Sequence, residues 1–165
     1  MGGQAEAMMM TTAEKLVRTL TEKKLTCATA ESCTGGGIGR AITDVSGASA
    51  VFWGGVISYD NSVKHGVLDV SDEILDGVGP VSPACAAQMA RGARDLLKTD
   101  LAVSVTGVAG PGPDGGHPAG YVWFGVATKD GVRTENVQFA GDRPAVRAAA
   151  VEHALGLLLA AAERL

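Results

Sequence analysis

Aromatic side chains are scarce in this chain, 4% of 165 residues, and cysteine occurs only three times. Few aromatics, a net charge of −4 and no basic cluster leave no electrostatic or stacking footprint for nucleic acid. Three cysteines, an odd count, argue against a disulfide framework and for a reducing compartment, so a cytoplasmic protein is expected. The longest apolar stretch, near "VEHALGLLLAAAERL", is broken by charge and falls short of the roughly 18 residues of a membrane span. The opening "MGGQAEAMMM" lacks the cationic start and long apolar stretch of a secretory signal, and residues 1–10 read as a frayed or tag-like tail. Residues 11–165 read as one domain. With 46% hydrophobic residues it can bury a core without disulfides or metal. A small molecule is the expected partner, with no membrane and no nucleic acid.

Glycine, by contrast, is abundant. There are 23, against about 12 at average usage. They gather at 35–39, 54–55, 107–120 and 125–141, each time beside an apolar β-like run, as tight loops at strand ends do. No repeat and no interdomain linker is visible.

Helical periodicity appears at Ala13, Leu16, Val17 and Leu20, with Thr11 and Glu14 at capping-box spacing. "LTCATA" reads as a buried strand, followed after the glycines by a helix over about 38–45. A second strand is expected over 50–59, and "NSVKHGV" as a turn or a short helical piece. Ser82-Pro83 starts an alanine-rich helix reaching about Lys98. "DLAVSVTG" reads as a third strand, and 121–140 as a hairpin turning at Lys129-Asp130-Gly131. Asp142 caps a last helix. Alternating elements followed by a hairpin predict an α/β fold, a three-layer α/β/α sandwich with a mixed, mostly parallel sheet.

A strand, a glycine turn and a helix N-terminus can hold an anion. "GGGIG" nevertheless fails G-x-G-x-x-G, and no Walker motif exists in the chain, which disfavours dinucleotide cofactors and P-loop chemistry. Ser32 falls at the end of the first strand, where α/β proteins place their ligands, yet Ala30 and Thr34 stand where a G-x-S-x-G elbow has glycine. A serine nucleophile needs a base. His65, His117 and His153 stand apart from one another, and no pair of ligands with Cys27, Cys33 or Cys85 has zinc spacing, so no metal is expected. Lys64 is the other candidate base, provided burial brings its pKa down by roughly 3 units. Tyr59 and Asn61 are near enough in sequence to orient the lysine or a substrate. Cys33 is the rival nucleophile.

The segments "AESCTGG", "YDNSVK", "VSVTGVAGPGPDGG", "PAGYVWFG" and "FAGDRPAVR" occur in the order seen in the CinA C-terminal domain family, the competence- and damage-inducible proteins. From about Thr11 onward the chain resembles the stand-alone members of that family. These hydrolyse the carboxamide of nicotinamide mononucleotide to nicotinate mononucleotide and ammonia, with no metal or organic cofactor. Longer relatives carry an N-terminal pyrophosphatase-like domain, which is not expected here. The resemblance implies Ser32 as nucleophile, Lys64 as base and a mononucleotide substrate. Thr34, Gly35 and Gly36, or Thr106 and Gly107, are then candidate oxyanion donors. Ala109 and Gly110 belong to a loop placed to wrap ribose or ring, and Arg143 and Arg147, four apart, form a candidate phosphate clamp. The competing expectation is a non-catalytic mononucleotide-binding or interaction module. A homo-oligomer is also expected to be possible, through Phe52 and Trp53.

Overall fold

In a computed structural model, which describes residues 9–165, the chain runs α1 (Thr12–Lys23), β1 (Cys27–Glu31), α2 (Gly37–Thr43), a 3-10 turn (Ala48–Ala50), β2 (Phe52–Ile57), α3 (Asn61–Leu68), α4 (Asp72–Asp76), α5 (Pro83–Leu97), β3 (Leu101–Gly107), β4 (Tyr121–Thr128), β5 (Gly131–Gln138) and α6 (Arg143–Arg164). Of the expected tail, residues 1–8 lie outside the described residues.

The local signals hold. Thr11 and Glu14 form a reciprocal capping box on α1. Ser82 accepts from Cys85 N with proline in the first turn of α5, and Asp142 accepts from Ala145 N at the start of α6. β4 and β5 pair down to Thr128 opposite Gly131, a two-residue turn. One element takes the helical of its two expected forms, and one helix was not expected. "NSVKHGV" is a full helix, because the Asp60 side chain caps it through Ser62 N, and the short α4, capped by Ser71, carries too little periodicity to stand out.

The sheet order is β2-β1-β3-β4-β5. β1 pairs in parallel with both β2 and β3, whereas β3–β4 and β4–β5 are antiparallel, so four of the five strands share one direction. Alternation along the strands feeds two cores. Cys27, Leu101, Val103 and Val105 face α1, α2 and α6, while Ala28, Ala30 and Ala102 face α3, α4 and α5. This is a three-layer α/β/α sandwich. α6 is long and apolar enough to cross a membrane by length and composition, but it packs its Val146, Ala150, Ala154, Leu155 and Leu158 stripe into the first of these cores.

The connection leaving β1 passes over one face to β2, and the one leaving β2 passes over the other to β3. The crevice between the carboxyl ends of β1 and β3 is therefore a topological switch point, where open α/β sheets bind ligands. α3 is held beside this crevice by close contact with α5: a Cβ on Gly92 would lie 2.1 Å from Leu68 O, so only glycine lets the two helices approach this far.

Candidate active site

Ser32 is the first residue beyond β1, and its N–H continues the sheet by donating to Val105 O at 3.0 Å. Lys64 sits one turn into α3, on the same face as Leu68, and is only 2% exposed. Its Nζ lies 3.1 Å from Ser32 Oγ, 2.8 Å from Ser58 O and 3.0 Å from Tyr59 O. Burial lowers the pKa of Lys64; Cys85, Asp60 and Cys33 pull the other way. Burial also pushes the Cys33 and Cys85 thiols up to about 11, so near neutral pH neither carries the negative charge that would favour an ammonium. Asp60 alone among the three is ionised there, and it is held in solvent by Ser62. Desolvation wins, and it favours the neutral amine.

A neutral lysine has two N–H donors and one lone pair. Three partners surround Nζ: two carbonyl oxygens that can only accept, and one hydroxyl that can donate. In the neutral form the two N–H groups can go to Ser58 O and Tyr59 O, which would leave the lone pair for the Ser32 hydroxyl 3.1 Å away. Such a pairing has the geometry that a general base acting on a hydroxyl nucleophile requires.

The pair forms the floor of a cleft of about 670 Å³, lined also by Asn61, Gly79, Thr106, Ala109, Gly110 and Arg143, a volume in the range of small-molecule sites. Ala109 and Gly110 line the cleft, and their main-chain N–H groups make no hydrogen bond among the described residues. Gly107 also lines the cleft, but the Thr106 hydroxyl is committed to Pro80 O at 2.7 Å.

Several expected site residues sit elsewhere. The N-terminus of α2 is not open to an external anion, because the Glu31 carboxylate fills it: Oε1 accepts from Ile38 N at 2.9 Å and from the Thr34 hydroxyl at 2.6 Å, and Oε2 from Gly39 N at 3.0 Å. Thr34, Gly35 and Gly36 do not line the cleft, and the Gly35 N–H is spent on Ser32 O. The two arginines of the expected clamp differ in placement. Arg143 faces the cleft and donates to Gly110 O at 2.7 Å, with the Tyr59 hydroxyl at 3.5 Å. Arg147 does not line the cleft and donates to Cys33 O and Thr34 O, bracing the turn that follows Ser32. Tyr59 lines the cleft, and it holds the lysine through its main-chain carbonyl while its hydroxyl lies near Arg143.

None of the histidine rings hydrogen-bonds to Ser32 or Lys64, although His117 lines the cleft. His65 bonds Val70 O, His117 stacks on Tyr121, and His153 packs on Phe124 and pairs with Glu135. No metal-binding group of three or more His, Cys, Asp or Glu occurs among the described residues. Glu31 was not singled out from the sequence. The available signal was an acidic residue ending an apolar strand, with Thr34 three positions on and a helix start behind it.

Comparison with known proteins gives a consistent picture. Residues 9–162 match the CinA C-terminal domain family. The chain is 55% identical over 120 residues to a CinA-like protein of Leptospira borgpetersenii, covering 71% of this chain and 28% of that protein. It is 51% identical over 127 residues to a nicotinamide-nucleotide amidohydrolase PncC of Enterobacter agglomerans, covering 74% and 75% of the two. A putative competence-damage inducible protein of Lactiplantibacillus plantarum is 46% identical, with 82% of this chain and 32% of that protein covered. The chain thus spans about a third or less of the longer relatives. A solved CinA superfamily structure from Klebsiella pneumoniae superimposes with a TM-score of 0.90 at 34% identity, covering 93% of this chain and 97% of that one.

Proposed function

This chain belongs to the CinA C-terminal domain family, and on that premise we propose that it is a serine amidohydrolase that converts nicotinamide mononucleotide to nicotinate mononucleotide and ammonia. The observation that carries the reading is the 3.1 Å approach of a buried lysine amine to Ser32 Oγ at the floor of a cleft. Binding of an anion alone has no use for a desolvated amine aimed at a hydroxyl. The Enterobacter agglomerans relative, named for this activity, supports the choice of substrate.

In the proposed reaction the Lys64 amine takes the Ser32 proton as Oγ attacks the carboxamide carbon. The resulting oxyanion is met by main-chain donors of the 109–110 turn. Collapse of the tetrahedral adduct breaks the C–N bond, and the Lys64 ammonium protonates the departing amide nitrogen, releasing ammonia. The neutral amine then takes a proton from water, whose oxygen attacks the ester carbon. Nicotinate mononucleotide leaves, and the proton returns to Ser32. Arg143 supplies the cation for the substrate phosphate.

Ammonia release from nicotinamide mononucleotide tests this. Ser32→Ala and Lys64→Ala should each lower kcat on the order of 10³-fold or more, with product binding intact by calorimetry. Cys33→Ala should stay active. Near-normal turnover in Ser32→Ala, or a dead Cys33→Ala with an active Ser32→Ala, would overturn the assignment. Tight product binding by a wild-type protein with no turnover would favour the non-catalytic module.

A further inference from the structure

We infer that Glu31 is a positioning residue for the nucleophile, tying the Ser32 turn and the platform of Lys64 into one rigid unit. The inference rests on Ser32 being the nucleophile proposed above. Glu31 is 2% exposed and does not line the cleft, so it does not meet the substrate. Its carboxylate closes the turn from 32 to 37 through three donors: the Thr34 hydroxyl, Ile38 N and Gly39 N. The other end of the same residue holds the base. Glu31 O accepts from Ser58 N at 2.7 Å, and Ser58 O in turn accepts from Lys64 Nζ at 2.8 Å. One residue therefore fixes the hydroxyl on its C-terminal side and, through one strand pairing, the carbonyl that aims the amine.

The geometry explains why the residue is an acid. Three donors converge on two oxygens, and a carboxylate is acceptor-only, whereas the amide of glutamine would turn an N–H₂ group toward one of the main-chain N–H groups. The carboxylate also excludes any substrate anion from the glycine run, which leaves the Arg143 end of the cleft for a phosphate.

The experiment compares wild type, Glu31→Gln and Thr34→Val. It measures kcat and KM on nicotinamide mononucleotide, and also the rate at which a fluorophosphonate probe modifies Ser32, followed by intact mass across pH. A displacement of about 1 Å at a reacting atom costs on the order of 10²-fold. Glu31→Gln is expected to lose about that factor both in kcat and in probe reactivity, with KM changed less than about 3-fold and the pH midpoint of labelling unmoved. Thr34→Val, which leaves both main-chain bonds to the carboxylate, should lose about 10-fold in the same two readouts and decides the matter if Glu31→Gln does not fold. Wild-type labelling rates in the folded variants would overturn the inference. A shifted pH midpoint would also overturn it, because Glu31 would then act on the lysine by its field rather than by placement. If the wild type labels at Ser32 but releases no ammonia, the proposed substrate is wrong and the labelling rates still decide the role of Glu31; turnover without any Ser32 labelling overturns that role.

Discussion

In the proposed reaction Lys64 serves as base because of where its amine is buried, and this gives the site a pH signature. The base works only when neutral, and burial lowers its pKa from the ordinary value of 10.5. As pH falls through that depressed value Nζ takes up a proton, its lone pair is lost and Ser32 cannot be deprotonated. The acidic limb of kcat/KM should therefore have its midpoint below the ordinary lysine range and should persist in Cys33→Ala. Lys64→Arg makes a sharper test. Guanidinium can donate to Ser58 O and Tyr59 O as the ammonium does, but it stays charged at every accessible pH. Turnover of the arginine variant is expected to be absent from pH 6 to 10, and recovery of activity at any pH in that range would exclude a lysine base. Cys33, beside Ser32, is buried with its thiol pushed up to about 11. From the sequence alone it remained a rival, because its burial is set by contacts distant along the chain.

At the level of elements, the proposed catalysis requires α3 to be pressed against α5. Gly92 on α5 meets Leu68 O at the carboxyl end of α3, one helical turn from Lys64. Gly92→Ala would place a methyl carbon against a main-chain carbonyl, which cannot rotate away as a side chain can, so α3 must shift bodily. Overpacking of this kind costs about 1–3 kcal/mol, and the shift would carry Nζ off Ser32. A lower thermal midpoint together with a kcat loss of at least 10-fold is expected; wild-type kcat in a folded Gly92→Ala would show that α3 is not set by this contact. Capping signals made α1, α5 and α6 legible in the sequence, because each cap is local. The sequence leaves α3 open between a turn and a short helical piece, and it does not show that the N-terminus of α2 is filled. A buried glutamate runs against composition-based expectation, and its three donors become apparent only once the turn has closed around it.

For the molecule as a whole, the sheet places the two halves of the proposed site on different connections. Ser32 follows β1, Lys64 lies beyond β2, and the 107–110 turn follows β3, so the cleft exists only when both cores have formed. A ligand spanning that cleft binds the folded state and not the unfolded chain, and it must raise stability by mass action, about 2.7 kcal/mol at a hundredfold excess over Kd. At about 2–4 °C per kcal/mol for a domain of this size, nicotinate mononucleotide should raise the Tm by roughly 5–10 °C. The contributions to that shift are separable, since product binding needs the phosphate contact but not the proton transfer. Ser32→Ala should keep the full shift. Arg143→Ala should lose most of it, because Arg143 is the arginine that faces the cleft, and Arg147→Ala should lower the unliganded Tm by freeing Cys33 O and Thr34 O while leaving the ligand-induced increment in place. The reverse pattern, with Arg147 carrying the increment, would mean that the phosphate approaches the glycine run after all and that Glu31 yields its place at α2.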